Sequence, residues 1–127
     1  GLSPQNTFTC RAMLQVLQRV RGTAVATGLP IAGKTGTLRS EFLGSPLVGK
    51  LFAKTGSLGN PPVDEPPLAS KSLAGFVDAG NGDILEFVLI LNDNKIADET
   101  YASLWQVFGD RLHSYPAGPD TAELAPR

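Results

Sequence analysis

The sequence predicts an α+β domain of the α/β class, an antiparallel sheet with flanking helices. Three observations carry that prediction. Apolar residues recur at helical spacing in two stretches, 9–21 and 98–112. Between them lie three apolar runs that read as strands, 51–58, 72–77 and 84–91. The last two are joined by Gly80-Asn81-Gly82-Asp83, and an Asn-Gly pair between apolar runs is a strong hairpin signal.

In the first stretch Met13, Val16, Leu17 and Val20 form the apolar stripe, with Thr9 as the N-cap and Gly22 as the stop. Residues 23–50 are punctuated by Gly28, Pro30, Gly33, Gly36, Gly44, Pro46 and Gly49, which predicts turns and a short helix around 40–43. The strand at 51–58 leads into a proline-rich stretch, 59–67, read as a loop. The strands at 72–77 and 84–91 pair with each other, and the former pairs with 51–58. In the last helix Tyr101, Leu104, Trp105, Phe108 and Leu112 share one face, read as core rather than as a binding site. Residues 114–127 read as a frayed tail. This order places helices against one face of a small sheet. Yet residues 84–91 are apolar almost throughout, so both faces of that strand call for burial. Two helices and three strands supply too little cover, and residues 1–127 read as the C-terminal fragment of a single domain.

Composition narrows the function classes. A hydrophobic fraction of 42% and a charged fraction of 18% fit a globular segment rather than a disordered one. The net charge of -1, with no basic stretch, gives no footprint for nucleic acid or an anionic membrane surface. No apolar run is long enough to span a bilayer, and residues 1–4 carry no targeting segment. The single cysteine, Cys10, has no internal disulfide partner and reads as a small buried hydrophobe. His113 closes a helix and reads as a partner of its terminal carbonyls. Asn92-Asp93-Asn94 resembles a calcium-loop opening but lacks the glycine and closing glutamate, so no metal site is read.

Lys54-Thr55-Gly56, between Leu51-Phe52-Ala53 and Ser57-Leu58, carries the chemistry. A strand edge with a cation, a hydroxyl and a glycine suits recognition of a carboxylate beside a reacting acyl group. Serine acyl-transferases of the penicillin-binding type use a Lys-Thr/Ser-Gly element in this way. Further blocks stand in order around it: Gly1-Leu2-Ser3, Leu29-Pro30-Ile31-Ala32-Gly33, Gly36-Thr37-Leu38 and Ser72-Leu73-Ala74-Gly75-Phe76-Val77. Together the blocks resemble the C-terminal part of the class C low-molecular-mass penicillin-binding proteins, D-alanyl-D-alanine carboxypeptidases and endopeptidases of the bacterial cell wall.

That resemblance implies a β-lactamase/transpeptidase-like domain and gives each site residue a role. The Lys54 ammonium would lie near the substrate's terminal carboxylate and the catalytic hydroxyls. Thr55 would offer its hydroxyl to that carboxylate, and Gly56 would let the substrate backbone approach. The Ser57 N–H would be one of two oxyanion-hole donors. The family's Ser-x-x-Lys and Ser-x-Asn motifs occur nowhere in these residues and would precede residue 1. The chain alone would therefore be inert and would self-associate or require the missing N-terminal part. No cofactor is implied. The implied partners are peptidoglycan peptides ending in D-Ala-D-Ala and β-lactams, and the implied location is extracytoplasmic, with a signal sequence upstream. The sequence departs from the family at residues 59–71, a stretch with four prolines and two acids.

Two other functions are open to these residues. Gly28, Gly33, Lys34 and Thr35 satisfy the P-loop pattern of a nucleotide-binding protein, in which backbone amides cradle phosphates, Lys34 reaches them and Thr35 ligates magnesium. Such a loop must open into a sustained helix, and Gly36, Gly44 and Pro46 leave room for barely two turns. A non-enzymatic module that binds peptides or another protein is the third reading. An upstream Ser-x-x-Lys would decide for the hydrolase.

Overall fold

The computed structural model describes residues 6–60, 65–80, 82–92 and 98–115, with the backbone alone for 59–60, 65–69 and 98–102. The Gly1-Leu2-Ser3 block, residues 61–64, Asn81, residues 93–94 and the tail from 116 onward lie outside the described residues, as does the Tyr101 side chain. Helices α1 (Cys10–Val20) and α2 (Ala24–Thr27) and a 3-10 turn (Gly36–Leu38) precede strands β1 (Leu51–Asn60), β2 (Glu65–Gly80) and β3 (Asp83–Leu91). Helix α3 (Asp98–His113) follows. The sheet is antiparallel in the order β1-β2-β3. Its class and pairing are those expected from the sequence.

Helix α1 begins where Thr9 Oγ1 accepts the Ala12 N–H at 3.1 Å, which satisfies one of the amides the first turn leaves without a partner. It ends before Gly22, whose φ of 75° lies in the left-handed region. Leu17 is buried while Val16 is 51% exposed, so the packed stripe runs through Met13, Leu14, Leu17 and Val20 rather than through Val16. Cys10 is exposed, contrary to the expectation of burial, because it opens the helix on the side turned to solvent.

No helix forms at 40–43. Phe42 takes a φ of 61°, where a right-handed helix cannot continue. That conformation delivers its ring to the core, stacked on Trp105 with centroids 6.4 Å apart and only 5% exposed. Burial of an aromatic ring has outweighed local propensity.

The sheet is covered on both faces, not one. Leu51, Ala53, Leu73, Val77 and Phe87 share the face that packs with Trp105 of α3, and Phe87 meets Phe108 with centroids 5.5 Å apart. The opposite face carries Phe52, Phe76 and Ile84, and it faces α1 and α2. There Arg21 pairs with Glu86 at 3.0 Å. The consequence for β3 is partial cover: Phe87 is buried, while its other apolar residues are half-buried. On α3, Leu104 is exposed and the packed face is Trp105, Phe108 and Leu112. The Trp105 Nε1–H is buried and finds no hydrogen-bond partner among the described residues.

Strands run further than the sequence indicated. Residues 59–67 are not one loop: β1 continues to Asn60, and β2 resumes at Glu65 opposite it. Pro66 and Pro67 thus lie in β2. Proline lacks an N–H and is tolerated where a strand has an open side. That condition holds among the described residues: β3 ends at Leu91 opposite Lys71, and Pro66 and Pro67 fall in the irregular stretch between the pairs Asn60–Glu65 and Leu58–Ser70. At the other end, Gly80 pairs with Asp83 across a two-residue connection, the predicted hairpin.

Candidate active site

Among the described residues, the outer edge of β1 is paired over its first residues and open after them. An arch at residues 30–32 pairs with it: the Ala53 N–H donates to the Pro30 carbonyl at 2.9 Å, and the Ala32 N–H donates to the Leu51 carbonyl at 2.9 Å. Leu51 and Ala53 therefore turn their backbone groups away from β2. Backbone direction alternates along a strand, and the register with β2 is unbroken from Leu51 to Leu58. Thr55 and Ser57 consequently present N–H and C=O outward, past the end of the arch. Lys54 and Gly56 turn theirs toward β2.

Side chains alternate across the same edge. Thr55 shares the face of Leu51 and Ala53, half-buried, whereas Lys54 projects to the opposite face and is exposed. The cation and the hydroxyl are thus on different faces and flank one edge. The Lys54 ammonium bends back to it, donating from Nζ to the Thr55 carbonyl at 2.7 Å. Gly56 is hemmed in from β2, since a Cβ at this position would collide with the Ser72 hydroxyl. A side chain there is excluded by the neighbouring strand itself.

The Thr55 hydroxyl has a partner the sequence reading did not assign a role. It donates to Thr37 Oγ1 at 3.0 Å. Thr37 lies in the 3-10 turn, beside fully buried Leu38. The arch and this turn therefore bring residues 18 positions apart in sequence to one corner of the edge.

A family model described as D-Ala-D-Ala carboxypeptidase 3 (S13) matches residues 1–108, which include the arch, the whole sheet and most of α3. The chain belongs to the D-Ala-D-Ala carboxypeptidase 3 (S13) family. No curated protein matches it. Membership in the S13 carboxypeptidases agrees with the resemblance drawn from the ordered sequence blocks, and it supports a carboxypeptidase with a peptidoglycan-related function.

Within this S13 chain the P-loop residues form no phosphate cradle. The Lys34 and Thr35 N–H groups both donate to the Ile31 carbonyl at 3.0 Å, and the Gly33 N–H donates to the Leu38 carbonyl at 2.9 Å. Amides used in this way cannot also hold phosphate. The Thr35 hydroxyl accepts the Ile31 N–H at 3.0 Å, and the Lys34 side chain lies across Gly49. Only the three-residue 3-10 turn follows, where a P-loop needs a long helix. The pattern is an accident of a tight turn.

A cavity of about 300 Å³ lies on the α1 face, lined by Arg21, Gly22, Ala26, Thr27, Phe52, Phe76 and Ile84. None of the edge residues lines it. The signal that could have found Thr37 in the sequence was the Gly36-Thr37-Leu38 block, legible only as a resemblance.

Proposed function

We propose that this chain supplies the carboxylate-binding and oxyanion side of a serine-type D-Ala-D-Ala carboxypeptidase or endopeptidase active site. The observation that carries this reading is the open stretch of the β1 edge, with Thr55 and Ser57 backbone groups outward. An extended peptide can add to such an edge by main-chain hydrogen bonds. Lys54 and Thr55 flank the stretch with a cation and a hydroxyl, donors suited to a terminal carboxylate. One residue pair further on, the Ser57 N–H is directed to where the oxygen of the scissile carbonyl would lie, an oxyanion-hole role.

In this reading the nucleophilic serine belongs to a segment outside residues 1–127, since no Ser-x-x-Lys occurs within them. Its Oγ attacks the penultimate D-alanine carbonyl. The amide bond breaks, the proton passes to the departing D-alanine amine, and water then hydrolyses the acyl-enzyme. β-Lactams acylate the same serine. Lys54 and Thr55 recognise and polarise; neither forms a bond to substrate. Peptidoglycan as the substrate sets an extracytoplasmic location. The outer side of β3 pairs with no strand among the described residues, which supports self-association of the isolated chain.

The direct test is release of free D-alanine from a peptide ending in D-Ala-D-Ala by the intact protein. Release abolished by prior treatment with penicillin is the expected result. Release that persists after penicillin, or no release at all, would sink the proposal.

A further inference from the structure

We propose that Thr37 is a positioning residue for Thr55, one that sets both the rotamer and the donor direction of its hydroxyl. The inference rests on the function proposed above and adds a residue to its machinery. The contact is a single hydrogen bond, Thr55 Oγ1 to Thr37 Oγ1 at 3.0 Å.

Thr37 is held in place by the arch rather than by its own burial, for it is itself exposed. Its neighbour Leu38 is fully buried and pins the turn to the core. Gly36 takes a φ of 57° with Pro30 packed against its open side, so the backbone enters the turn at a fixed angle. The same Pro30 accepts the Ala53 N–H, two residues before Thr55. Turn and strand are therefore braced through one residue, and the distance between the two hydroxyls is not free to drift.

The chemistry of two facing hydroxyls gives that fixed distance a use. Each has one proton and two acceptor positions. With the edge open, Thr55 donates to Thr37. When a carboxylate arrives, the pair can reverse: Thr37 donates to Thr55 Oγ1, and the Thr55 proton turns outward to the carboxylate. Only hydrogen positions rotate; no covalent bond changes. A hydroxyl that accepts one hydrogen bond donates a stronger one, as chains of hydrogen bonds polarise one another. Thr37 thus strengthens a contact it does not make.

The test is a double-mutant cycle in the intact protein, read as the second-order rate of acylation by a fluorescent penicillin. Thr37→Val keeps the shape and removes the hydroxyl, and it should lower that rate about five- to tenfold, the size of one net hydrogen bond. The loss should fall on the penicillin concentration needed for half-maximal rate rather than on the maximal rate, because the carboxylate is held equally before and during reaction. Thr37→Ser should restore the rate. In the Thr55→Val background, Thr37→Val should have no further effect. If Thr55→Val alone changes nothing, the proposed function of the edge is wrong. If Thr55→Val is damaging but Thr37→Val is silent, only the positioning role fails. Additive losses would mean that Thr37 touches substrate on its own, which also overturns it. A lowered melting midpoint in Thr37→Val, unrescued by serine, would reduce the residue to a structural part.

Discussion

Replacing Lys54 with alanine in the intact protein should lower its rate of acylation by penicillin by about a hundredfold, while Lys34→Ala should leave it within about twofold. The two lysines begin identical Lys-Thr-Gly tripeptides, at 34–36 and 54–56, and in the sequence only their neighbours tell them apart. Their surroundings in the fold differ. Lys54 stands at the junction of the closed and open parts of the β1 edge, its ammonium 2.7 Å from the outward Thr55 carbonyl. A carboxylate placed on that edge meets a cation already there. Losing a charged hydrogen bond of this kind costs roughly 1.5–3 kcal/mol, or about one to two orders of magnitude in rate, and the long-range attraction is lost with it. Lys34 lies across Gly49 on a turn in which the Gly33, Lys34 and Thr35 amides are bonded within the turn itself. Stopped-flow acylation of the two variants gives the answer. Equal losses, or a loss confined to Lys34, would overturn the assignment of the edge.

The 127-residue chain by itself should take no covalent label from a fluorescent penicillin on a denaturing gel. Acyl transfer needs a hydroxyl with a base in hydrogen-bond reach. Ser57 offers its backbone N–H, and its hydroxyl shares the sheet face with Lys71, its partner in register. The Lys71 ammonium is drawn instead over the Trp105 ring, 5.1 Å from its centroid. Ser72 is turned to the other face, against Gly56. A band on the isolated chain that excess unlabelled penicillin removes would establish a nucleophile within these residues and end the proposal that it lies elsewhere.

Much of the fold was legible because it rests on local signals. Thr9 and Gly22 bracket α1 by capping chemistry, and the turn signal between the apolar runs marks the β2–β3 hairpin, although the pairing shifts between Gly80–Asp83 and Asp78–Ile84 before it becomes regular. The placement of Lys54, Thr55, Gly56 and Ser57 on one strand followed in the same way. What stayed hidden depends on contacts remote in sequence. The arch has no periodicity of its own, because it is held by backbone bonds to β1. Phe42 leaves the helical region for a ring, Trp105, more than sixty residues away. The strand path of Pro66 and Pro67 goes with the irregular pairing between Leu58–Ser70 and Asn60–Glu65. Thr37 could be seen as a threonine, but not as the neighbour of Thr55.

The division of the β1 edge also has a signature in time. Amide protons that are bonded within a sheet exchange with solvent slowly, and those directed away from it exchange fast. From Leu51 to Ala53 both sides of the strand are engaged, by the arch and by β2. From Lys54 onward, protection should alternate: slow at Lys54 and Gly56, fast at Thr55 and Ser57. The hydrogen-exchange rates of four consecutive amides, resolved by NMR, would therefore mark where the arch hands the edge over to an incoming chain. Uniform protection across the four would mean that the edge is already occupied. A ligand that adds as a strand should slow Thr55 and Ser57 while leaving their neighbours unchanged, so the same four protons report occupancy without any reaction having to occur.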